Sequence, residues 1–167
     1  MNEEFLDSYS EQTTIELLAL EKKYSVDSLV LAFEQAVEQK SIKHGTNNLS
    51  SLERMILTIE ALEREVNNGG YDQFFRNSSA QYAPLVVTAL NTIGCPSVAQ
   101  ITLDAITAIG VSPAGTVEEI EKILLVDDDE RDEKLNNCDK RYYSTGENIA
   151  MALFTYIKNH GNEVQIP

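Results

Sequence analysis

The stretch LEREVNNGGYDQFFRNSS, residues 62–79, joins the end of a helix, a pair of glycines and an aromatic cluster. Glycine adopts the left-handed backbone conformation without a Cβ clash, so Gly69–Gly70 is expected to end the preceding helix in a sharp turn. Tyr71, Phe74 and Phe75 follow at short helical spacing, which predicts that their rings fill the core beside the turn. The stretch therefore predicts a helix end with an aromatic plug.

Amide side chains surround this turn, at Asn67, Asn68, Gln73 and Asn77. One interpretation is that they bind the backbone groups that the turn leaves free. The alternative is a helical protein-interaction module or a small-ligand pocket that uses the turn region from Asn67 to Asn77. The first interpretation is favoured, because no acid, base or nucleophile in the stretch is arranged for chemistry.

The helix that leads into this stretch has the clearest pattern. Ser50 with Glu53 three residues later forms a capping box, which predicts that the helix begins there. Its apolar stripe consists of Leu52, Met55, Ile56, Ile59, Leu62 and Val66. The glutamates off this stripe are expected to face water or a partner: Glu53, Glu60, Glu63 and Glu65.

Apolar residues recur at helical spacing along most of the remaining chain. A weaker helix is expected over residues 14–23, and Ser25 is expected to cap another that ends before Gly45. Five later helices are expected from stripes and end signals: one closed by Gly94, one from Pro96 to Gly110, one opened by the Thr116–Glu119 capping box, one through Leu135 and Tyr142, and one stopping near Gly161. The fold class is therefore all-α. We expect a single compact domain over residues 1–167 with about seven to nine helices, of which residues 1–13 form a loosely ordered N-terminal segment.

Charge is the exceptional property of the composition. Twenty-seven Asp and Glu residues face 13 Lys and Arg, a formal charge of −14. The acids concentrate at the two ends, because residues 1–40 and residues 111–167 each carry a net −6 and the middle only −2. Direct binding to nucleic acid is not expected, since it needs basic groups to displace counterions from phosphate. Acidity for solubility alone is the competing interpretation.

Other totals favour a cytoplasmic protein. No apolar run approaches the roughly 18–20 residues that span a bilayer, so no membrane association is expected. The acidic start, MNEEFLDSYSEQ, is unlike a signal peptide. Cys95 and Cys138 lie far apart, as is typical of reduced thiols.

The acidic run from Asp127 to Glu133 has the look of a calcium loop but not its pattern. An EF-hand needs a glycine at its sixth position and a carboxylate at its twelfth. Counting from Asp127, those positions hold Asp132 and Cys138. Within a helix, acids four residues apart would lie roughly 6 Å apart, which is the scale of phosphate spacing, whereas capping a helix N-terminus is the simpler role.

Catalytic and cofactor motifs are lacking in the sequence. His44 and His160 have no cysteine or histidine at zinc-ligand spacing. Gly69–Gly70 is followed by aromatic residues and not by the lysine of a phosphate-binding loop. We therefore expect no enzyme activity, no metal and no cofactor.

Residues 62–79 resemble the signature of the DNA-mimic protein family, small acidic helical proteins. The resemblance rests on Glu65 and on residues with a mainly structural role: Asn67, Asn68, Gly69, Gly70, Tyr71, Asp72, Gln73, Phe74, Phe75, Asn77 and Ser78. It continues less specifically through Ala89, Leu90, Ile93 and Gly94.

The resemblance implies an all-α fold and a homodimer whose carboxylates imitate DNA phosphates. The implied partner is a DNA-binding transcription regulator, which is held away from DNA. Candidate phosphate-mimicking carboxylates in this chain are Glu34, Glu38, Glu60, Glu63, Asp127, Asp128, Asp129, Asp132 and Glu133.

Overall fold

The computed structural model describes residues 4–112 and 115–166. Within these ranges the chain forms eight α-helices: α1 Thr14–Ala19, α2 Val26–His44, α3 Ser51–Arg76, α4 Ala83–Ile93, α5 Pro96–Ile109, α6 Val117–Leu124, α7 Asp129–Ser144 and α8 Ile149–Asn159. The same residues contain no β-strand, only an isolated bridge between Glu4 and Tyr24. The all-α class is confirmed, and the number of helices lies in the expected range.

The helix ends follow the sequence signals. Reciprocal hydrogen bonds join Ser50 and Glu53, and Thr116 and Glu119, so both capping boxes are confirmed. Ser25 caps α2 by accepting a hydrogen bond from the Ser28 N–H. These signals are readable because each involves residues within one turn of helix.

The helices cluster into two compact units. The first comprises residues up to Glu60 together with those from Asn148, and the second runs from Ala61 to Glu147. The expected single domain over residues 1–167 stays a prediction.

The first unit is built on α2 and α8, with α1 packed beside α2. Its core includes Leu29, Phe33 and Val37, which lie at helical spacing on α2, and Leu153 and Ile157 from α8. One apolar face of α2 is therefore buried.

Glu53 is fully buried and connects α3 to α2 and to the C-terminal residues of the first unit. Its carboxylate accepts two hydrogen bonds from the Lys40 ammonium, at 2.8 and 2.9 Å, and one from the backbone N–H of Gln165 at 2.8 Å. The expectation that Glu53, Glu60 and Glu65 face water or a partner was wrong, because all three are buried.

The N-terminal segment is tied to the first unit from Glu4 onward. Glu4 exchanges backbone hydrogen bonds with residues 23 and 25, and the Tyr9 N–H donates to the side chain of Gln35 at 2.8 Å. The loose order expected for residues 1–13 stays a prediction, although Glu4 and Tyr9 are hydrogen-bonded to the rest of the unit. Positions 1–3 lie outside the described residues.

The second unit packs α5 against α4 and α7. Tyr71, Phe74 and Phe75 are all buried in its core, so the predicted aromatic plug is confirmed. None of the helices in the described part of the chain is long and apolar enough to cross a membrane.

The double glycine breaks α3 where the sequence predicts. Gly69 has φ −154° and ψ 19°, and Gly70 has φ 77° and ψ −176°, so neither is helical. A Cβ on Gly70 would also lie 2.3 Å from the carboxylate of Asp139. Gly70 is therefore required both by its backbone conformation and by a close neighbour.

We expect Gly70→Ala to lower the free energy of unfolding by roughly 2–4 kcal/mol, through backbone strain and displacement of Asp139. Gly110→Ala is the matched control, because Gly110 also has a positive φ but an added Cβ there meets nothing within 4 Å. Gly110→Ala should lower the free energy of unfolding by about 1 kcal/mol. Chemical denaturation measures both, and equal losses would contradict the close contact with Asp139.

Candidate functional site

The break in α3 is bridged by the carboxylate of Glu65. It accepts hydrogen bonds from the Gln73 amide at 2.7 Å, the Asn77 amide at 2.8 Å and the Ser79 hydroxyl at 3.0 Å. The buried charge is thus surrounded by three donors from the far side of the turn. We name these four residues the Glu65 clasp.

Two amides of the turn bind a side chain and not the backbone groups that the sequence analysis expected. Gln73 and Asn77 bind the Glu65 carboxylate, not backbone groups freed by the turn. Asn67 and Asn68 are exposed on the surface. Gln73 is half-buried and Asn77 is exposed, and both amides are already bound to Glu65. A ligand pocket at this turn stays a prediction.

Tyrosines complete the hydrogen bonding around the break. The Tyr71 N–H donates to Asp139 at 2.8 Å, and the Tyr71 hydroxyl pairs with that of Thr102 at 2.8 Å. The Tyr143 hydroxyl donates to the Val66 carbonyl at 2.5 Å, satisfying an acceptor that the broken helix leaves open. The Tyr142 hydroxyl donates to Glu63 at 2.9 Å.

The clasp controls the ionisation of Glu65. Burial alone would raise the pKa of Glu65, but the hydrogen bonds from Gln73, Asn77 and Ser79 outweigh it and lower that pKa. Burial raises the pKa of Tyr142, and the charge of Glu63 adds to the effect. Glu65 is therefore held as an anion and Tyr142 as a neutral donor near neutral pH.

The structure separates the candidate carboxylates into distinct groups. Glu34 and Glu60 are buried, which corrects their assignment as surface phosphate mimics. Glu63 is half-buried and bound by Tyr142, and Glu38 is exposed in the first unit. The remaining candidates are all exposed in the second unit: Asp127, Asp128, Asp129, Asp132 and Glu133.

The exposed candidates belong to a longer acidic segment, residues 117–133. It holds nine acids and two bases, a net −7 that is half of the formal charge of the chain. All nine carboxylate side chains are exposed. Sequence reasoning missed four of them, which density of charge alone could have flagged: Glu118, Glu119, Glu121 and Glu130.

Helices α6 and α7 and the turn between them position the acidic segment. Asp128 caps α7 by accepting a hydrogen bond from the Arg131 N–H at 3.0 Å, so the simpler role expected for an acid in this run is observed. Glu130 pairs with Lys134 at 2.6 Å. Four acids have no hydrogen-bond or ion-pair partner among the described residues: Glu121, Asp127, Asp129 and Glu133. Of these, Asp127 still interacts electrostatically with Arg76.

Metal-ligand clusters and the state of the two cysteines can be read from the described ranges. No three His, Cys, Asp or Glu side chains there are placed to hold a metal ion. Burial raises the pKa of Cys95 to about 11 and also raises that of Cys138, so neither is a reactive thiolate at neutral pH. In the open groove along α5 and α7, Arg141 is paired with Asp104 at 2.7 Å.

Comparison with protein families identifies the chain. A family model described as DMP19-like protein matches residues 47–160. The chain belongs to the DMP19-like family. Nothing matched the chain in comparisons with curated proteins and with solved structures.

The DMP19-like match covers both features described above. It contains the clasp and the acidic segment, whereas Glu34 and Glu38 lie outside it. The resemblance to DNA-mimic proteins is confirmed at the level of the family. The assignment of residues 62–79 as the signature of DMP19-like proteins stays a prediction.

The clasp predicts a stability that depends on pH. Glu65→Gln should cost roughly 2–3 kcal/mol of unfolding free energy at pH 7, because an amide cannot accept all three hydrogen bonds as a charged group does. The lowered pKa of Glu65 in the folded protein means that its stabilisation is complete above the pKa of an unfolded glutamate and is lost as the pH falls through the folded value. The difference between wild type and variant should therefore shrink below about pH 4.

Denaturation of both proteins between pH 7 and pH 3 measures this effect. Glu133→Gln is the control, an exposed glutamate without a partner in the described structure, and should change stability by less than about 0.5 kcal/mol. A Glu65→Gln deficit that is the same at every pH would contradict an ionised clasp.

Proposed function

We propose that this protein is a DNA mimic whose acidic segment, residues 117–133, binds the basic DNA-contacting surface of a transcription regulator and keeps it from DNA. The observation that carries the proposal is the exposure of nine carboxylates on one short segment of two helices and a turn. Family membership supports it, since DMP19-like proteins are DNA mimics. The proposed role is binding, without catalysis.

The charge density of the segment is on the scale of DNA. Duplex DNA carries one charge per about 1.7 Å of its axis. The five residues from Asp129 to Glu133 include four acids, counting both ends, over roughly 6 Å of helix axis. Asp129 and Glu133 are themselves four residues apart and without partners, so they project as neighbouring unneutralised charges.

A folded segment suits this function because its carboxylates stay in place before binding. A DNA-binding surface is complementary to a regular negative array, and complementary charge increases both association rate and specificity. The function also requires a location where DNA is present, and a cytoplasmic location stays a prediction. So does the homodimer, which would present two acidic segments and can be measured by light scattering.

Neutralising the partnerless acids should abolish the binding selectively. The test variant changes the four of them to their amides: E121Q, D127N, D129N and E133Q. The matched control changes four exposed acids of the first unit: D7N, E11Q, D27N and E163Q. Both variants take the formal charge from −14 to −10, so only the position of the charge differs.

Immobilised wild-type protein should capture basic DNA-binding proteins from a native lysate at low salt and release them to duplex DNA or to moderate salt. The captured regulator, once purified, should bind the test variant about tenfold or more weakly than wild type, because four exposed charge pairs each contribute about 0.2–1 kcal/mol. The control variant should bind like wild type. Binding that is indifferent to competing duplex DNA would refute mimicry.

A further inference from the structure

Two aliphatic side chains project from the middle of the acidic segment. Leu125 is 83% exposed and Val126 is 66% exposed, in the turn between α6 and α7. Nine carboxylates surround them along the chain, from Glu118 to Glu133. Imitation of phosphates requires negative charge and no exposed apolar surface, so mimicry alone does not explain these two side chains.

Two arginines hold the turn in this conformation. Buried Arg131 donates from Nη1 to the carbonyls of Ile123 at 3.2 Å and Val126 at 3.0 Å. Arg76 donates from Nη1 to the carbonyl of Leu124 at 3.3 Å. With the carbonyls on both sides of Leu125 bound, its outward position is imposed by the backbone.

An apolar groove lies beside the projecting side chains. It has a volume of about 340 Å³ and is lined by Phe75, Arg76, Glu121, Leu124 and Leu125. Phe75 and Leu124 are buried and supply its apolar walls. The groove and the two exposed side chains form one surface, because Leu125 belongs to both.

The rim of this groove is negative despite Arg76. That guanidinium is bound by the Asp72 carboxylate at 2.8 Å. The hydrogen bond that Arg76 donates to Asp72 raises the pKa of Arg76, and the charges of Asp72, Asp132 and Asp127 contribute further. Arg76 is thus outnumbered by acids, and Glu121 adds an exposed carboxylate without a partner in the described structure.

We propose that Leu125, Val126 and the adjoining groove form an apolar anchor for a basic helical segment that carries aliphatic side chains between its lysines and arginines. The inference rests on the proposed function and specifies the chemistry of the partner surface. Charge complementarity selects this occupant. A second copy would bring another acidic segment with net −7, and an anionic lipid surface would be repelled in the same way.

The anchor would add what phosphate mimicry lacks. Charge pairing is weakened by salt and is shared with every polyanion, including DNA itself. Burial of aliphatic surface is nearly independent of salt and depends on shape. The anchor therefore allows the protein to select among basic partners and to compete with DNA at higher ionic strength.

Two synthetic helical peptides of equal charge test the anchor. Each has about 16 residues, or roughly four helical turns, with the same lysines and arginines. One carries leucines on a single face and the other carries glutamines at those positions. Fluorescence anisotropy at several salt concentrations gives the affinity of each peptide and its salt dependence.

The protein variants separate the apolar surface from the charge. L125S/V126S removes the anchor and leaves every acid in place. I15S/I42S is the matched control, because Ile15 and Ile42 in the first unit are 80% and 85% exposed. Since all four side chains are largely exposed, both variants should retain the wild-type thermal unfolding temperature.

Wild type should bind the leucine peptide at least about tenfold more tightly than the glutamine peptide, because several apolar groups are removed from water. L125S/V126S should bind the two peptides with nearly equal affinity. Its affinity for the glutamine peptide, and the salt dependence of that affinity, should match those of wild type. I15S/I42S should keep the wild-type ratio.

Several outcomes would overturn the anchor. They are equal binding of the two peptides by wild type, a preference that survives in L125S/V126S, and a preference lost in I15S/I42S. Loss of self-association specifically in L125S/V126S, measured by sedimentation, would also overturn it by assigning the surface to a second copy. Equal binding leaves the proposed function standing, whereas binding of neither peptide would count against both.

Discussion

The second unit depends on a buried negative charge placed where a helix breaks. Glu65 lies about one turn before the break at Gly69–Gly70, and its carboxylate accepts hydrogen bonds from Gln73, Asn77 and Ser79 beyond it. A buried carboxylate without donors would be costly, so the segment after Gly70 must return towards Glu65 to supply them. That return places Tyr71, whose N–H binds Asp139 of α7 at the same point. The break, the clasp and the position of α7 are thus parts of one arrangement.

The acids of this protein serve two different purposes. Buried Glu53 and Glu65 each collect several donors and connect distant parts of one unit. The exposed acids of residues 117–133 make few such bonds, and four of them make none within the described structure. A high total of acids therefore says little about function by itself. The unneutralised fraction, and its concentration on one segment, is the quantity that bears on binding.

The sequence was informative where the interactions are local. Capping boxes at Ser50 and Thr116, and the helix end at Gly69–Gly70, were correct because their partners lie within a few residues. The failure at Glu53 has a physical reason. Periodicity locates the centre of the buried face of a helix but not its width, and the partner that buries Glu53 is Lys40 on another helix. The roles of Gln73 and Asn77 were missed because the turn carries these amides back to Glu65, which no spacing rule reports.

The candidate site was predictable only in part, for the same reason. Spacing drew attention to Asp127–Glu133, but the run of exposed acids begins in α6 and includes Glu121. What joins the two helices into one surface is Arg131, a buried cation that binds the carbonyls of residues 123 and 126. A cation at this position also lowers the net negative charge of residues 117–133. Because Arg131 is buried, its Nη1 group fixes the turn from inside. Its Nε group lies 3.3 Å from the carboxylate of Asp132, so that acid is partly neutralised, whereas Asp127, Asp129 and Glu133 make no such pair in the described structure. The Nη1 hydrogen bonds fix Leu125 outward, so the geometry that orders the charges also creates the apolar surface among them.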